Sequence, residues 1–489
     1  MSIARPRVEW RSVGGICLAL GLVLVALSGR YGYHRDELYF LEAGHHLAWG
    51  YPDQGPVTPF LAWAFDALGQ GSLYVFRLPA TLASVGIALL SALMARELGG
   101  GRYAQPLAAL AAGSGTYLLA TTHMVVTSTF DLLAWVTITW LVMLLLRGAD
   151  ERLWLLVGAV AGVGLLNKQL PLVLLLALLV GVALTPSARP VLRSPWLGAG
   201  GVLAAALWAP LLVWQAQHDW PQLTLAGQIR DEYGVPVERF GFLFQQLGLF
   251  SIGATILWVT GWLALWRRAA WATYRVFAWA GIVVLGVFVL TAGQGYYPGG
   301  IYPALFAAGA VVVEEAGRAW RSFAVVGLTA ALFVPAALPV LPLSALAHSP
   351  LTEIDEQLRE QVGWPQLADL VADAYATIPT DERSQAIVFT ANYGEAGAVD
   401  RFGPGLGLPT VWSGHNGYGL WGPPPDGAAP VVVVWQGDTV DYFFSGCIPH
   451  GRVTGPVDNE ETERTTVYVC DALIGSWAAA WPLLVHLDA

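Results

Sequence analysis

The stretch from Leu153 to Leu184 reads LWLLVGAVAGVGLLNKQLPLVLLLALLVGVAL, and it decides the class of fold. Two apolar runs flank the polar triplet Asn167-Lys168-Gln169, which holds the only lysine of the 489 residues. Long apolar runs cross the ~30 Å hydrocarbon core of a bilayer as helices. The stretch therefore predicts two membrane helices that are joined by a tight polar turn.

Comparable apolar runs recur along the first 340 residues. The chain is 55% hydrophobic and 12% charged, whereas soluble domains carry about 25% charged residues. This composition excludes a disordered chain, a nucleic-acid binder and an ordinary cytosolic enzyme. The predicted spans are Gly14–Ser28, Tyr74–Ala95, Tyr103–Ala120, Ser128–Leu146, Leu153–Leu166, Leu170–Leu184, Leu197–Trp214, Phe240–Leu265, Val276–Ala292, Pro298–Val313 and Phe323–Leu341. We therefore predict a polytopic α-helical membrane protein with about 11 transmembrane helices.

Charge divides the chain at residue 342. Residues 1–342 carry a net charge of +4 and residues 343–489 a net charge of −14, which together give the total of −10. With the N-terminus in the cytoplasm, fourteen basic residues fall inside and six outside before residue 342, as the positive-inside rule requires. We predict a plasma-membrane domain, 1–342, followed by an extracytoplasmic soluble domain, 343–489.

Two features near the chain ends leave alternatives open. The first span is expected to be an uncleaved anchor, although Ala26-Leu27-Ser28 resembles a signal-peptide cleavage site. Cys447 and Cys470 both lie in the predicted outside domain, where a disulfide would persist, but their spacing does not settle whether they pair.

The acidic C-terminal part has the pattern of an α/β domain. Short β-branched runs at Ala386–Thr390, Pro430–Trp435 and Thr466–Cys470 predict strands. Apolar residues from Leu367 to Tyr375 follow helical spacing. Asn392-Tyr393-Gly394-Glu395 follows the first strand directly, at the place where a site at a sheet edge would lie.

The first predicted outside loop, residues 30–72, holds three carboxylates, Asp36, Glu37 and Asp53. Carboxylates at an apolar boundary are costly unless they bind something or face water. Asp36 and Glu37 point about 100° apart on a helix, so one could face a cavity while the other caps or pairs. Alternatively, Asp36 caps the helix and Arg35 neutralises Glu37. The residues alone leave both interpretations open.

The loop nevertheless resembles a known family. An Asp-Glu pair just after the first span, followed by an acidic residue ahead of a proline turn, resembles the polyprenyl-phosphate-sugar glycosyltransferases of the membrane-embedded C-type fold. These include the protein O-mannosyltransferases and the lipid A aminoarabinose transferases of glycosyltransferase family 39 and its relatives. Further stretches that look like bacterial family members are Tyr31–Pro59, Leu165–Lys168, Trp214–Pro221, Tyr296–Pro303, Asn392–Ala396 and Ser413–Pro423.

The resemblance implies an inverting glycosyltransferase. Such an enzyme moves a sugar from a polyprenyl-phosphate carrier to an acceptor outside the cytoplasm, here of unknown identity. Two alternatives stay open from the sequence: a secondary transporter, and a catalytically inactive membrane scaffold that binds lipid or glycan. Carried over residue by residue, the family pattern makes Asp36 the general base, with Glu37 beside it in the catalytic pair.

The same resemblance implies a binding site for the donor phosphate. Gln54 and Gln294 stand where many relatives have phosphate-binding lysines, so other cations or a divalent metal would have to replace their charge. The candidate residues for the donor and its phosphate are Arg35, Asp53, Gln54, Lys168, Arg230, Gln294, Tyr296 and Tyr297. Some relatives hold a divalent ion with an acidic residue of the first loop and a later His, which would be Asp53 and His218. These ligands suit Mg²⁺, Mn²⁺ or Zn²⁺.

Overall fold

The computed structural model describes residues 5–233, 236–351 and 356–488. The chain folds into two compact units, which we call the membrane unit and the sheet unit. The membrane unit comprises Met1–Ser28, Gln54–Thr58 and Phe76–Leu338, and the sheet unit comprises Gly29–Asp53, Pro59–Val75 and Pro339–Ala489. This division differs from the predicted boundary at residue 342, because most of the first loop packs with the C-terminal residues.

Long apolar helices dominate the first 340 residues. Six are long and apolar enough to cross a membrane: Trp10–Leu27, Leu73–Glu97, Thr127–Leu146, Pro195–Gln217, Ala269–Thr291 and Ala319–Ala337. Gly241–Gly248 and Ile252–Arg267 form a pair that is bent by 111°, which gives up to seven if the pair is one span. These helices, found within the described ranges, make the chain a multi-span membrane protein.

The remaining predicted spans coincide with shorter helices. These are Ala104–Gly113, Thr116–Thr122, Leu153–Leu165, Pro171–Leu184 and Tyr302–Glu315. Leu153–Leu165 has 13 residues and Pro171–Leu184 has 14, so each rises only about 20 Å as a helix. Because such helices are shorter than the hydrocarbon core, the number of eleven crossings stays a prediction. The helices Pro221–Tyr233 and Pro236–Gly248 also belong to the membrane unit.

Close helix packing in the membrane unit depends on glycine. A Cβ atom on Gly200 would overlap the carbonyl oxygen of Trp154, and one on Gly158 would overlap the carbonyl oxygen of Gly200. Small residues of this kind let helix backbones approach closely in membranes. The helices Leu153–Leu165 and Pro195–Gln217 are therefore held together by backbone contact.

We expect Gly200→Ala to lower the unfolding temperature of the purified protein in detergent, because the new methyl group forces these two helices apart. Overpacking of this kind typically costs about 1–3 kcal/mol. Gly201→Ala is the matched control, because no atom lies within 4 Å of its Cβ position. The control should keep or slightly raise the unfolding temperature, since alanine favours helices over glycine. Equal unfolding temperatures for both variants would contradict this packing.

In the residues that the structure describes, the sheet unit contains seven strands. They are β1 (Ile387–Thr390), β2 (Val411–Ser413), β3 (Val431–Gln436), β4 (Phe444–Ser445), β5 (Ile448–Arg452), β6 (Thr465–Cys470) and β7 (Ala472–Leu473). Five form one sheet in the order β2-β1-β3-β6-β5, and β4 pairs with β7. β1, β2 and β3 run parallel, whereas β6 pairs antiparallel with both β3 and β5. The three strands predicted from β-branched runs are present as β1, β3 and β6.

Burial explains the composition of the central strands. Val431, Val432, Val433 and Val434 of β3 are all 0% exposed, as expected for a strand that is covered on both faces.

The helices of the sheet unit are Arg35–His45, Leu343–Leu346, Trp364–Ala376, Tyr393–Phe402, Asn416–Leu420, Glu460–Arg464 and Trp477–Leu484; Val57–Gly69 and Leu73–Phe76 begin or end in the other unit. Cys447 and Cys470 form a disulfide, which answers the question that their spacing left open.

Candidate active site

The first loop forms a capped helix, Arg35–His45, which we call the loop helix. His34 is its N-cap, because its Nδ1 accepts a hydrogen bond from the backbone N–H of Asp36 at 3.1 Å. Glu37 completes the cap, since its Oε2 accepts from the backbone N–H of His34 at 2.9 Å. Such reciprocal bonds satisfy amide groups that a helix start leaves unpaired. The structure therefore gives Glu37, which is 0% exposed, a capping contact, and its catalytic role stays a prediction.

Asp36 has different surroundings from Glu37. Its side chain keeps 32% exposure, and the Nε atom of Arg35 lies 3.8 Å from its Oδ1. The hydroxyl group of Tyr393 donates a hydrogen bond to the same oxygen at 2.9 Å. Of the two interpretations of the Asp-Glu pair, the arrangement matches the one in which one carboxylate caps the helix and the other stays accessible.

Asp53 is paired with a second tyrosine. The hydroxyl of Tyr39, which lies on the loop helix, donates to Asp53 Oδ1 at 2.9 Å and accepts from the backbone N–H of Gly417 at 3.1 Å. Burial, assisted by the nearby charge of Asp36, raises the pKa of Asp53 to about 7, although the bond from Tyr39 acts in the opposite direction. Asp53 can therefore exchange a proton near neutral pH.

A third pair of the same kind lies close by. Tyr418 donates to Asp400 at 2.6 Å, and its ring centroid lies 6.3 Å from that of Tyr39. Burial, together with the charge of Glu42, raises the pKa of Asp400 to about 7. Three tyrosine–carboxylate pairs thus stand together in the sheet unit.

The sequence motifs predict no role for these three tyrosines. Tyr39 lies three residues after Asp36, so the helical period brings the two onto neighbouring positions. That spacing is the signal that could have identified Tyr39. Tyr393 belongs to the stretch after the first strand where a sheet-edge site was expected, but nothing in the sequence indicates its contact with Asp36.

The second group of predicted site residues lies in the membrane unit, around the turn Asn167–Gln169. The Nζ atom of Lys168 lies 5.7 Å from the ring centroid of Tyr296 and 5.0 Å from that of Tyr297. It also contacts the Ser128 hydroxyl at 3.2 Å. Three residues that the sequence analysis predicted separately for the donor phosphate are thereby brought together.

Gln54 lies beside the same turn. The backbone N–H of Gly55 donates to the Asn167 carbonyl at 3.3 Å, and Thr58 Oγ1 donates to Asn167 Oδ1 at 2.6 Å. Gln54 is 3% exposed, and within the described residues both polar atoms of its amide lack a hydrogen-bond partner. Buried amides without partners are rare and costly. An incoming polar ligand would supply the missing bonds.

Asp131 is a further carboxylate near the turn. It is 4% exposed, and the charge of Lys168 acts on it. Asp131 lies in the first turns of the helix Thr127–Leu146, and the sequence motifs assign it no role. A charged group at the start of an apolar helix is the signal that could have identified it.

The other predicted residues are more dispersed. Arg230 is exposed on the helix Pro221–Tyr233, and the carbonyl of Gln294 accepts from the N–H of Tyr297 at 3.1 Å. His218 is exposed, stacks on Trp214 with ring centroids 4.0 Å apart, and has Nδ1 2.8 Å from the Trp214 carbonyl. In the described part of the chain, no three His, Cys, Asp or Glu side chains group together as metal ligands. We therefore assign no step to a metal, and metal dependence stays a prediction.

Comparison with known proteins identifies relatives. Residues 53–214 match the family model described as dolichyl-phosphate-mannose-protein mannosyltransferase. This range contains Asp53, Gln54, Asp131 and Lys168. No curated protein sequence matches the chain. The family match indicates a glycosyltransferase that uses a lipid-phosphate-linked sugar.

Solved structures add the fold. ArnT from Cupriavidus metallidurans, bound to undecaprenyl phosphate and in the apo state, matches with a TM-score of 0.61 and 14% identity, over 93% of this chain and 97% of that chain. AglB from Archaeoglobus fulgidus, in complex with an inhibitory peptide and a dolichol-phosphate, matches with a TM-score of 0.45 and 13% identity, over 80% of this chain and 63% of that chain. The likeness to ArnT confirms the predicted C-type glycosyltransferase fold.

Proposed function

We propose, from the family match of residues 53–214 and from the likeness in fold to ArnT, that this chain is an inverting glycosyltransferase. It takes a sugar from a polyprenyl-phosphate carrier and passes it to an acceptor outside the cytoplasm. The observation that carries the proposal is the arrangement at Asp36, where a partly exposed carboxylate on a membrane-protein loop has one oxygen held by Tyr393.

Asp36 is the general base in this proposal. An acceptor hydroxyl attacks the anomeric carbon of the sugar from the side opposite the phosphate, and a new bond from the acceptor oxygen to that carbon forms. The bond from the anomeric carbon to the phosphate oxygen breaks, and its electron pair leaves with the lipid phosphate. Asp36 accepts the hydroxyl proton, which a carboxylate within hydrogen-bond reach can do.

Lys168 supplies the positive charge for the phosphate. Its ammonium group is held over the rings of Tyr296 and Tyr297, and Gln54 beside the same turn offers an amide without partners in the described residues. Positive charge aimed at a leaving phosphate stabilises the developing anion. Asp53, Arg35, Arg230 and Gln294 remain proposed donor contacts. A divalent ion at Asp53 and His218 remains a proposal that no step requires.

The proposed orientation follows from loop charge. With fourteen basic residues inside and six outside before residue 342, the N-terminus lies in the cytoplasm. The C-terminal residues then lie outside the plasma membrane, where the Cys447–Cys470 disulfide is stable.

Transfer by the purified full-length protein tests the proposal. The protein in nanodiscs is incubated with undecaprenyl phosphate that carries tritiated mannose, glucose or aminoarabinose, and a membrane extract of its own host supplies acceptors. We expect release of undecaprenyl phosphate, seen by mass spectrometry, together with transfer of the label from at least one donor. Empty nanodiscs provide the background.

The other outcomes identify the two alternatives. Uptake of the labelled compound into proteoliposomes without breakage of the sugar–phosphate bond would indicate a transporter. Binding of the labelled lipids without any release of undecaprenyl phosphate would indicate an inactive scaffold. Either result would overturn the proposed activity.

A further inference from the structure

We propose that Tyr393, from the C-terminal part of the chain, is a positioning residue that orients Asp36 for proton transfer. The role rests on the proposed glycosyltransferase function and goes beyond it, because it assigns a task at the reacting carboxylate to a residue 357 positions away. All the groups involved belong to the sheet unit.

The hydrogen bond fixes one oxygen of Asp36 and leaves the other available. Tyr393 donates to Oδ1 at 2.9 Å. In the described part of the chain, Oδ2 accepts no hydrogen bond, and the side chain is 32% exposed. A carboxylate that is held through one oxygen presents the other in a defined direction, as a base must toward the proton that it removes.

Tyr393 is itself held from several sides. It is 7% exposed, and it begins the helix Tyr393–Phe402, which a capping box of Asn392 and Glu395 fixes. Its ring centroid lies 4.9 Å from that of Tyr39 and 4.7 Å from that of His415. A side chain packed in this way loses little further freedom when it donates its hydroxyl.

Glycines allow the two helices to meet. A Cβ atom on Gly397 would lie 2.8 Å from Cβ of Leu38, and one on Gly394 would lie 3.0 Å from Cβ of Arg35. The helix that carries Tyr393 therefore packs directly on the loop helix that carries Asp36. Larger residues at these positions would move the hydroxyl away from the carboxylate.

Other charged or titratable groups also face Asp36. Arg35 lies 3.8 Å from Oδ1 and also sits over the Tyr393 ring at 5.5 Å. His34 Nδ1 lies 4.0 Å from Oδ2, but it accepts the N–H of Asp36 and so carries no proton there. The charge of Asp53 is coupled to that of Asp36. Removing the Tyr393 hydroxyl leaves all three groups in place.

The test compares the pH–rate profiles of three proteins in the nanodisc transfer assay with the tritiated donor. A hydroxyl that donates to a carboxylate stabilises its charged form. For Tyr393→Phe we therefore expect the acidic limb of the kcat profile to move to higher pH and the plateau to fall about tenfold, with KM unchanged. Replacing Tyr393 by 3-fluorotyrosine, whose hydroxyl is a stronger donor, should move the limb to lower pH.

Tyr375→Phe is the matched control, because it removes a tyrosine hydroxyl that donates to the Arg383 carbonyl at 2.9 Å in the same unit. Its profile should match that of the wild type. A profile of Tyr393→Phe identical to the wild type, with Asp36→Asn inactive, would overturn the positioning role alone. A wild-type protein that transfers no sugar would overturn the proposed function and this role with it. Because 3-fluorotyrosine keeps the side-chain shape, its limb tests the role even if Tyr393→Phe does not fold.

Discussion

Replacing Asp36 by Asn is expected to reduce sugar transfer by about 10²–10⁴-fold, which is the range that a positioned general base contributes. Asparagine keeps the shape of the side chain and can still accept the Tyr393 hydrogen bond through its amide oxygen. It cannot take up the acceptor proton. The loss should therefore appear in kcat, with the KM for the donor changed by less than about threefold, because Asp36 acts in the transition state rather than in donor binding.

The measurement is single-turnover release of undecaprenyl phosphate from the labelled donor at several pH values. Asp438→Asn is the control, since Asp438 is exposed in a loop after β3. Glu37→Gln separates the two members of the pair. Its amide oxygen can still accept the backbone N–H of His34, as glutamine does in capping boxes, so the variant should keep both its fold and its turnover. Full activity of Asp36→Asn together with loss of turnover in folded Glu37→Gln would show that Glu37, and not Asp36, is the general base.

The sequence predicted the elements better than their packing. The apolar runs at Ser128–Leu146 and Leu197–Trp214 became helices within a few residues of the predicted limits, because hydropathy alone specifies a membrane helix. The run Phe240–Leu265 became a helix pair bent by 111°. Apolar composition is the same on both sides of a bend, so hydropathy does not reveal it.

The grouping of the candidate site depended on contacts that are remote in sequence. The resemblance singled out Asp36 and Lys168, but it did not indicate that Tyr393 holds Asp36. It also left the C-terminal residues as a separate domain, whereas the loop helix packs with them in one unit. Contacts such as that of Gly397 with Leu38 arise from tertiary packing. The hydrophobic periodicity of a single stretch of sequence does not predict them.

Gln54 and Gln294 stand where many relatives have phosphate-binding lysines, so the positive charge of a phosphate site must come from another residue. Gln54 is buried beside the turn Asn167–Gln169. A glutamine in place of the lysine of many relatives lacks the positive charge but still offers a hydrogen-bond donor. Lys168 then carries the positive charge in that part of the membrane unit. Its contact with two tyrosine rings holds the ammonium group without neutralising it.

Lys168→Gln is accordingly expected to weaken binding of undecaprenyl phosphate by about ten- to a hundredfold, the value of a charge-assisted hydrogen bond. Binding is measured with the lipid in nanodiscs by native mass spectrometry, so the result does not depend on finding the acceptor. Lys168→Arg should recover part of the affinity, because it keeps the charge but not the compact ammonium shape.

Arg193→Gln is the matched control for lost positive charge, because Arg193 is exposed in the 3₁₀ helix that follows Pro171–Leu184, at the end of that helix remote from Lys168. Its affinity should equal that of the wild type. Raising the salt concentration should weaken the wild-type complex more than the Lys168→Gln complex, since only the former contains the charge pair. Equal affinities and equal salt dependence for Lys168→Gln and the wild type would show that the phosphate is bound without this lysine. Arg230→Gln would then be the variant in which the loss should appear.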